Sequence, residues 1–197
     1  MRNARKTGDR STYTYPRHNL FFAIMPPLPI AKEVSDLFDN LGMPLSVCGK
    51  KTSVNRLHLT LLSIYAAHYL PERVTQRALL TGSAIRFVEF DIVLDRVLTF
   101  RNRRVKQPLV LAANTETSLS ANKLAEQIRQ TFSILSGICL PRTGRITPHI
   151  TLAWDSLLVP EQSVPPTTLP VREIALVHSH VGESRYDILG RWKLVPG

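Results

Sequence analysis

The sequence predicts an α+β fold of two related lobes, each an antiparallel-type sheet with helices on one side. Three features carry this prediction. The order of elements along the chain is strand, helix, strand, helix, strands, helix, strand, hairpin, which is an α+β order. One short pattern occurs twice, as "HLTL" at 58–61 and "HITL" at 149–152, and each copy follows a helix of its own. The chain has 197 residues, of which 44% are hydrophobic, enough for one sizeable core or two small lobes that share one.

The elements follow in order. Residues 1–17 hold Arg2, Arg5, Lys6, Arg10 and Arg17 against Asp9 alone, with no hydrophobic periodicity, and are expected to form a mobile basic arm. Residues 18–197 are expected to form a single bilobal domain. "NLFFAIMPP" is a buried strand stopped by Pro26 and Pro27. "IAKEVSDLFDNLG" places Ile30, Val34, Leu37, Phe38 and Leu41 at helical spacing and closes at Gly42. The first His-Thr strand is expected over 57–65. A helix is expected from Pro71 to Gly82, and "RFVEFDIVLDRVLTF" and "LVLAAN" have strand composition. "SANKLAEQIRQTFSILSG" is the best helix in the chain, with Ser120 as cap, Leu124, Ile128, Phe132 and Leu135 on one face, and Gly137 at its end. The second His-Thr strand is expected over 149–154. "VPEQSVPPTTLP", with four prolines, reads as a loop, and "REIALVHSHVG" with "RYDILGRWKLV" reads as a closing hairpin.

Composition narrows the functional classes. The chain has 25 Lys+Arg against 15 Asp+Glu, a net charge of +10, which favours polyanionic partners. Cys48 and Cys139 stand far apart in no Cys-x-x-Cys arrangement, so a disulfide framework is not expected. No apolar run reaches the length of a membrane span, and the N-terminus lacks the apolar stretch of a secretory signal. A cytoplasmic monomer is therefore expected, with no membrane partner.

The repeated pattern carries the chemistry. Residues i and i+2 of a strand share a face, so His58 and Thr60 point one way while Leu57, Leu59 and Leu61 point into the core. His149 and Thr151 repeat this against Ile150 and Leu152. Two such matches among six histidines arise by chance with a probability of roughly a few in a thousand. Each strand offers an imidazole and a hydroxyl, groups that suit a phosphate. Two imidazoles across one cleft can serve as base and acid near neutral pH without a metal. The threonines and nearby cations would hold phosphoryl oxygens. Arg56, two residues before His58, shares its face if the strand extends that far, and is preferred to Arg145 as a phosphate clamp. His178-Ser179-His180 also alternates on one strand face, but no Asp or Glu flanks it closely in sequence, so no metal and no other cofactor is expected. "RNRRVK", with Arg101, Arg103, Arg104 and Lys106, is either an RNA-tracking element or a solvated hairpin tip.

These residues resemble the 2H phosphoesterase superfamily, and within it the 2′-5′ RNA ligase-like proteins, also called RNA 2′,3′-cyclic phosphodiesterases. The likeness is carried by "LFFAIMPP", "NRLHLTLLSIY", "RITPHITLAW" and "IALVHSHVGESRYDILGRWKL", and it spans residues 20 to 194. It implies a bilobal fold with pseudo-two-fold symmetry, outer helices and a central cleft lined by both motifs. It implies, as substrate and partner, an RNA or nucleotide ending in a 2′,3′-cyclic phosphate, hydrolysed to a 2′-phosphate, and a reverse reaction that makes a 2′-5′ bond. Carried over, His58 would protonate the departing 3′ oxygen and His149 would activate water, while Thr60 and Thr151 would bind the phosphate. Ser179 and Tyr186 match the family's closing strands. The chain departs from the family at Ser63-Ile64-Tyr65, at Trp154, where an Arg is common, and at His178, where an Arg commonly precedes the Ser. Tyr65 and Trp154 are candidates for stacking on a base. Two other readings stay open: an RNA-binding protein on the same fold without turnover, and a phosphodiesterase acting on other small cyclic or 2′-5′ linked nucleotides.

Overall fold

The structure is a computed structural model that describes residues 17–42, 47–101, 105–141 and 144–197. The order is β1 (His18–Ile24), α1 (Leu28–Gly42), β2 (Lys50–Lys51), a 3-10 turn (Val54–Arg56), β3 (Leu59–Ala67), α2 (Glu72–Ala84), β4 (Phe90–Thr99), β5 (Gln107–Ala113), α3 (Ser118–Ser136), β6 (His149–Asp155), β7 (Gln162–Val171), β8 (Glu173–His180) and β9 (Arg185–Lys193). The expected α+β class holds.

The two expected lobes are fused through one antiparallel sheet, in the order β7-β4-β5-β6-β3-β1-β8-β9, with β2 added on β6. The His-Thr strands β3 and β6 are the two central strands, and Leu59 lies opposite Ile150 where they meet. Each half contributes four strands, and the halves run outward from this junction as mirror-ordered sets. Leu20, Phe22 and Ile24 of β1, Leu59 and Leu61 of β3, Leu111 of β5 and Ile150 of β6 are all buried in one main cluster. Ala31, Val34 and Phe38 of α1, Ala78 of α2 and Leu124, Ile128 and Phe132 of α3 fill the other side of that cluster. Burying one such Leu, Ile or Phe side chain is worth about 1.5–3 kcal/mol, so the helices are held by packing against this face of the sheet.

Element ends differ from expectation for local reasons. Pro71 is the N-cap of α2, which runs two residues past Gly82. Gly82 and Gly190 flank the Trp192 ring, and a Cβ on either would come within 2.5 Å of it. Gly82 is therefore a packing glycine, not a helix stop. The cap of α3 is Thr117 rather than Ser120; Asn114 Oδ1 accepts from the Thr117 N–H at 2.9 Å, and Ser120 lies inside the helix. Gly137 closes α3 in the left-handed region at φ 71°, as expected of a helix-ending glycine.

The largest correction concerns the proline-rich loop. Most of it is β7, a ten-residue strand containing Pro165, Pro166 and Pro170. β7 is the end strand of the sheet and pairs only with β4. A strand with one free edge can carry several residues that lack an N–H, whereas an interior strand takes one only near its start, as β5 does at Pro108. Residues 1–16 of the expected arm lie outside the described residues, as do Arg103 and Arg104 of the "RNRRVK" connection.

Candidate active site

The alternation expected for the two motifs is observed. Leu57 and Leu59 are buried in the main cluster, and His58 and Thr60 between and beyond them are half-buried on the opposite face. Ile150 and Leu152 are buried, and His149 and Thr151 are half-buried. With Leu59 opposite Ile150 in an antiparallel pair, the register puts Thr60 across from His149 and His58 across from Thr151. The four side chains therefore form a compact group where the two halves of the sheet meet.

Both imidazoles are held the same way. Nδ1 of His58 lies 2.8 Å from the Arg56 carbonyl, and Nδ1 of His149 lies 2.8 Å from the Thr147 carbonyl. A carbonyl only accepts, so each Nδ1 carries the proton and each Nε2 of the neutral ring keeps a lone pair. Each lock comes from the residue two positions earlier. Each ring also rests on an aromatic neighbour: His58 lies 5.1 Å from Phe21 and 5.3 Å, edge-on, from Tyr186, and His149 lies 4.7 Å, edge-on, from Phe100. Among the described residues, no hydrogen bond is made by the hydroxyls of Thr60 and Thr151.

The floor beside His58 is a small second cluster of Phe21, Ala23, Ala175 and Val177, with Met25 and Tyr186 packed against it. Ala23 pairs with Thr60 and with Ala175, which fixes these residues on the His58 face. Beside His149 the floor is Ala112 and Val110, which pair with His149 and Thr151. A pocket of about 360 Å³ opens there, lined among others by Thr60, Ser63, Phe100, Thr147 and His149. A larger cavity of about 560 Å³ lies by Met25, Arg172 and Arg191 and contains no histidine, so size alone does not locate the chemistry.

The electrostatics of the two rings differ. Burial lowers the pKa of His58, partly opposed by its bond to the Arg56 carbonyl, and the positive charges of His149 and Arg56 lower it further. Burial lowers the pKa of His149 too, opposed by the Thr147 carbonyl, with no charged neighbour among its causes.

Arg56 reaches the site by a route that strand periodicity does not give. β3 begins only at Leu59, and Arg56 ends the 3-10 turn, so the shared-face argument does not apply. The guanidinium instead stacks on Tyr186, 4.5 Å from the ring centre, beside His58. Its Nε is buried and has no hydrogen-bond partner among the described residues. Arg145 lines a different pocket with Glu126 and Arg129.

Bulges decide the fate of the other candidates. Ala23 pairs with Thr60 but Phe21 with Ser63, and Leu20 then pairs with Tyr65, so β3 is bulged twice. Tyr65 consequently shares the face of fully buried Leu20 and packs on the main cluster, away from the histidines. In β6, Val110 pairs with Thr151 but Leu109 with Ala153, a bulge that lets Leu152 and Ala153 both enter the core. Trp154 is thereby returned to the face of His149 and Thr151. Ser179 pairs with Asn19 and with Tyr186, on the same face as Phe21 and Val177. The structure thus brings together His58, His149, Thr60, Thr151, Arg56, Tyr186, Ser179 and Trp154 on one face, and leaves Tyr65 on the other. Phe21 and Phe100 were missed by the sequence reading. Both lie in apolar stretches, and no sequence signal distinguishes a phenylalanine beside one of these imidazoles from one in a core.

Three of the other four histidines also cluster. His18, His178 and His180 offer ring nitrogens within 4.8 Å of one another. Sequence proximity offered no carboxylate here, but the hairpin brings one: Asp187 Oδ2 lies 2.7 Å from His180 Nε2. His178 pairs with Leu20, so this group sits on the sheet face opposite His58. No helix of the described residues is long and apolar enough to cross a membrane.

A single sheet with two central His-x-Thr strands, helices behind and a cleft in front defines a LigT-like 2H phosphoesterase fold, and the resemblance read from the sequence holds over nearly the whole chain. Among solved structures, the apo form of E. coli LigT is 26% identical, with a TM-score of 0.65 over 92% of this chain and 99% of that one. A structure described as a phosphoesterase is 25% identical, with a TM-score of 0.65 over 90% and 99%. The Thermus thermophilus protein TT0787 is 24% identical, with a TM-score of 0.70 over 89% and 97%, a likeness of fold. LigT has been crystallised with 3′-AMP, with phosphate and with ATP. No family model and no curated protein matches the sequence.

Proposed function

We propose that the protein is a phosphodiesterase that opens 2′,3′-cyclic phosphates of RNA ends or nucleotides to 2′-phosphates, using two histidines and no metal. The observation that carries this is the matched pair of Nδ1 locks, which give both rings one tautomer and leave each Nε2 with its lone pair. A protein that only bound phosphate would have no need of two rings held in the proton-transfer tautomer.

The reaction follows from that arrangement. The substrate phosphate sits between the rings, its non-bridging oxygens accepting from Thr60 and Thr151 and from the Arg56 guanidinium. Nε2 of His149 takes a proton from water as its oxygen bonds to phosphorus. The P–O3′ bond breaks, and Nε2–H of His58 delivers a proton to O3′, leaving a 2′-phosphate and a free 3′-hydroxyl. Run backwards with an RNA 5′-hydroxyl as the nucleophile in place of water, the same site makes a 2′-5′ bond. Burial first, and then the charges of His149 and Arg56, disfavour a cation on His58; an anionic phosphate offsets that field when it binds and favours the proton on the acid. Tyr186 holds Arg56, and Trp154 and Ser179 line the path of the attached nucleotide. Arg101, exposed next to Phe100, extends the basic surface toward a longer RNA.

The test is product analysis by phosphorus NMR on a 2′,3′-cyclic mononucleotide and on an RNA ending in a cyclic phosphate, in EDTA. Release of the 2′-phosphate is expected on both. RNA binding without turnover would leave a binding protein on this fold, and turnover only of 2′-5′ linked or other small cyclic nucleotides would reassign the substrate.

A further inference from the structure

We propose that His18, His178 and His180 form a binding site for a zinc-type divalent metal on the sheet face opposite the cleft, oriented by Asp187. Three strands build it. β1 and β8 pair without a register shift, His18 opposite His180 and Leu20 opposite His178, so the three imidazoles stand on one face of two adjacent strands. The ring centres of His18 lie 5.1 Å from His178 and 5.7 Å from His180, and those of His178 and His180 lie 4.1 Å apart. Their ligand nitrogens fall within 4.8 Å of one another. Zinc with Zn–N bonds of about 2.0–2.1 Å in a tetrahedral site sets its nitrogens about 3.3–3.4 Å apart. His18 Nδ1 and His178 Nε2, at 2.9 Å, are already within that spacing and aimed at each other. A small rotation of His180 completes the triad.

One further feature suits a cation, and one opposes it. Asp187, across the β8–β9 pair from His178, binds His180 Nε2 at 2.7 Å, the carboxylate–imidazole arrangement that orients metal-ligating histidines and raises their basicity. His180 is then left with Nδ1 as its ligand atom. A positive group already occupies that side: Arg185 Nη2 lies 2.9 Å from Nδ1 of His180 and 2.7 Å from Nε2. The guanidinium lies against both ring nitrogens of His180, so it must move before Nδ1 can take a metal. Three imidazoles suit zinc, nickel, copper or cobalt and disfavour magnesium and calcium. The bound metal would tie the start of β1, where the basic N-terminal segment joins the sheet, to the closing hairpin. It contributes nothing to bond cleavage, because the sheet separates it from His58 and His149.

The experiment uses the full chain, free of any histidine tag and stripped with EDTA, titrated with zinc against a chromophoric chelator. One equivalent per chain is expected, with a rise in Tm that grows with zinc concentration. His178→Gln and His180→Gln should abolish that equivalent, and Asp187→Asn should weaken it by about 10–100-fold. Arg185→Ala should tighten it, while His58→Gln and His149→Gln should keep it. In the wild-type chain, nitrogen-detected NMR of the six histidine rings should show zinc shifts confined to His18, His178 and His180, a readout that needs no variant to fold. Zinc shifts at His58 and His149 instead, or zinc uptake unchanged in both His178→Gln and His180→Gln, would overturn the proposal.

Discussion

The two His-x-Thr strands share a backbone design and differ in what surrounds it. His58, just before β3, and His149, at the start of β6, are each locked by the carbonyl two residues back and followed by a threonine on the same face and a bulge directly after it. Around His58 stand Phe21, Tyr186 and a guanidinium; around His149 stand Phe100 and an open pocket. Matched backbones give two rings the same tautomer. Unmatched surroundings act on them differently: burial lowers the proton affinity of both, and the charges of His149 and Arg56 lower that of His58 further.

The sharpest way to break the comparison is to remove either ring. His58→Ala and His149→Ala should each lower kcat by about 10²–10⁴-fold with the fold retained by circular dichroism. The double variant should be little worse than the poorer single one, because both rings serve one step. A substrate with sulfur in place of the bridging 3′ oxygen needs no proton on its leaving group. It should restore turnover to the variant lacking the acid, His58→Ala, and not to His149→Ala; the opposite result would exchange the two roles.

Arg56 is the next largest difference between the halves. Arg56→Met should lower kcat/KM by about 10–100-fold, the scale of a lost hydrogen bond to a charged group. It also removes a charge that depresses the His58 pKa, so the limb of the pH profile due to His58 should move toward alkaline pH while the His149 limb stays. Identical movement of both limbs would mean the rings do not titrate separately.

Trp154 and Tyr65 occupy related places after the two motifs but opposite faces. Trp154→Ala should weaken nucleotide binding by the loss of one stacking contact, about 1–3 kcal/mol, measured by calorimetry. Tyr65→Ala should leave affinity unchanged and lower Tm through lost packing.

For the unaltered protein the sign of the pH dependence is set. Both rings have pKa values below the ordinary imidazole value, chiefly through burial. In kcat/KM the bell should therefore centre on the acid side of the usual imidazole range. The folded chain also binds fewer protons at these rings than the unfolded chain. Their contribution to stability is complete above the unfolded imidazole range and is lost as pH falls through the folded values. Urea unfolding across that range should show the loss, and a His58→Gln, His149→Gln chain should show a flatter dependence.

The smallest effect concerns the charge of the N-terminal segment. Deleting residues 1–17 should flatten the dependence of long-RNA affinity on salt and leave hydrolysis of a mononucleotide unchanged. An unchanged slope would free the arm from any role in RNA binding.

Much of this molecule is written locally. The alternation of Leu57, His58, Leu59 and Thr60 fixes which side chains face the core, because strand periodicity needs no partner to be read. The spacing of Leu124, Ile128 and Phe132 before Gly137 fixes α3 for the same reason. What the sequence leaves open depends on a neighbouring strand. A bulge exists only against a partner, so whether Tyr65 or Trp154 reaches the cleft was decided by pairing with β1 and β5. Several prolines in one segment argue against an interior strand but not against an end strand, so β7 became legible only from its place in the sheet. His18 and Asp187 join His178 and His180 across strand pairs, 160 and 9 residues from His178 in sequence. Local patterns assign residues to faces; only the assembled sheet decides which faces meet, because that choice rests on hydrogen bonds between segments far apart in the chain.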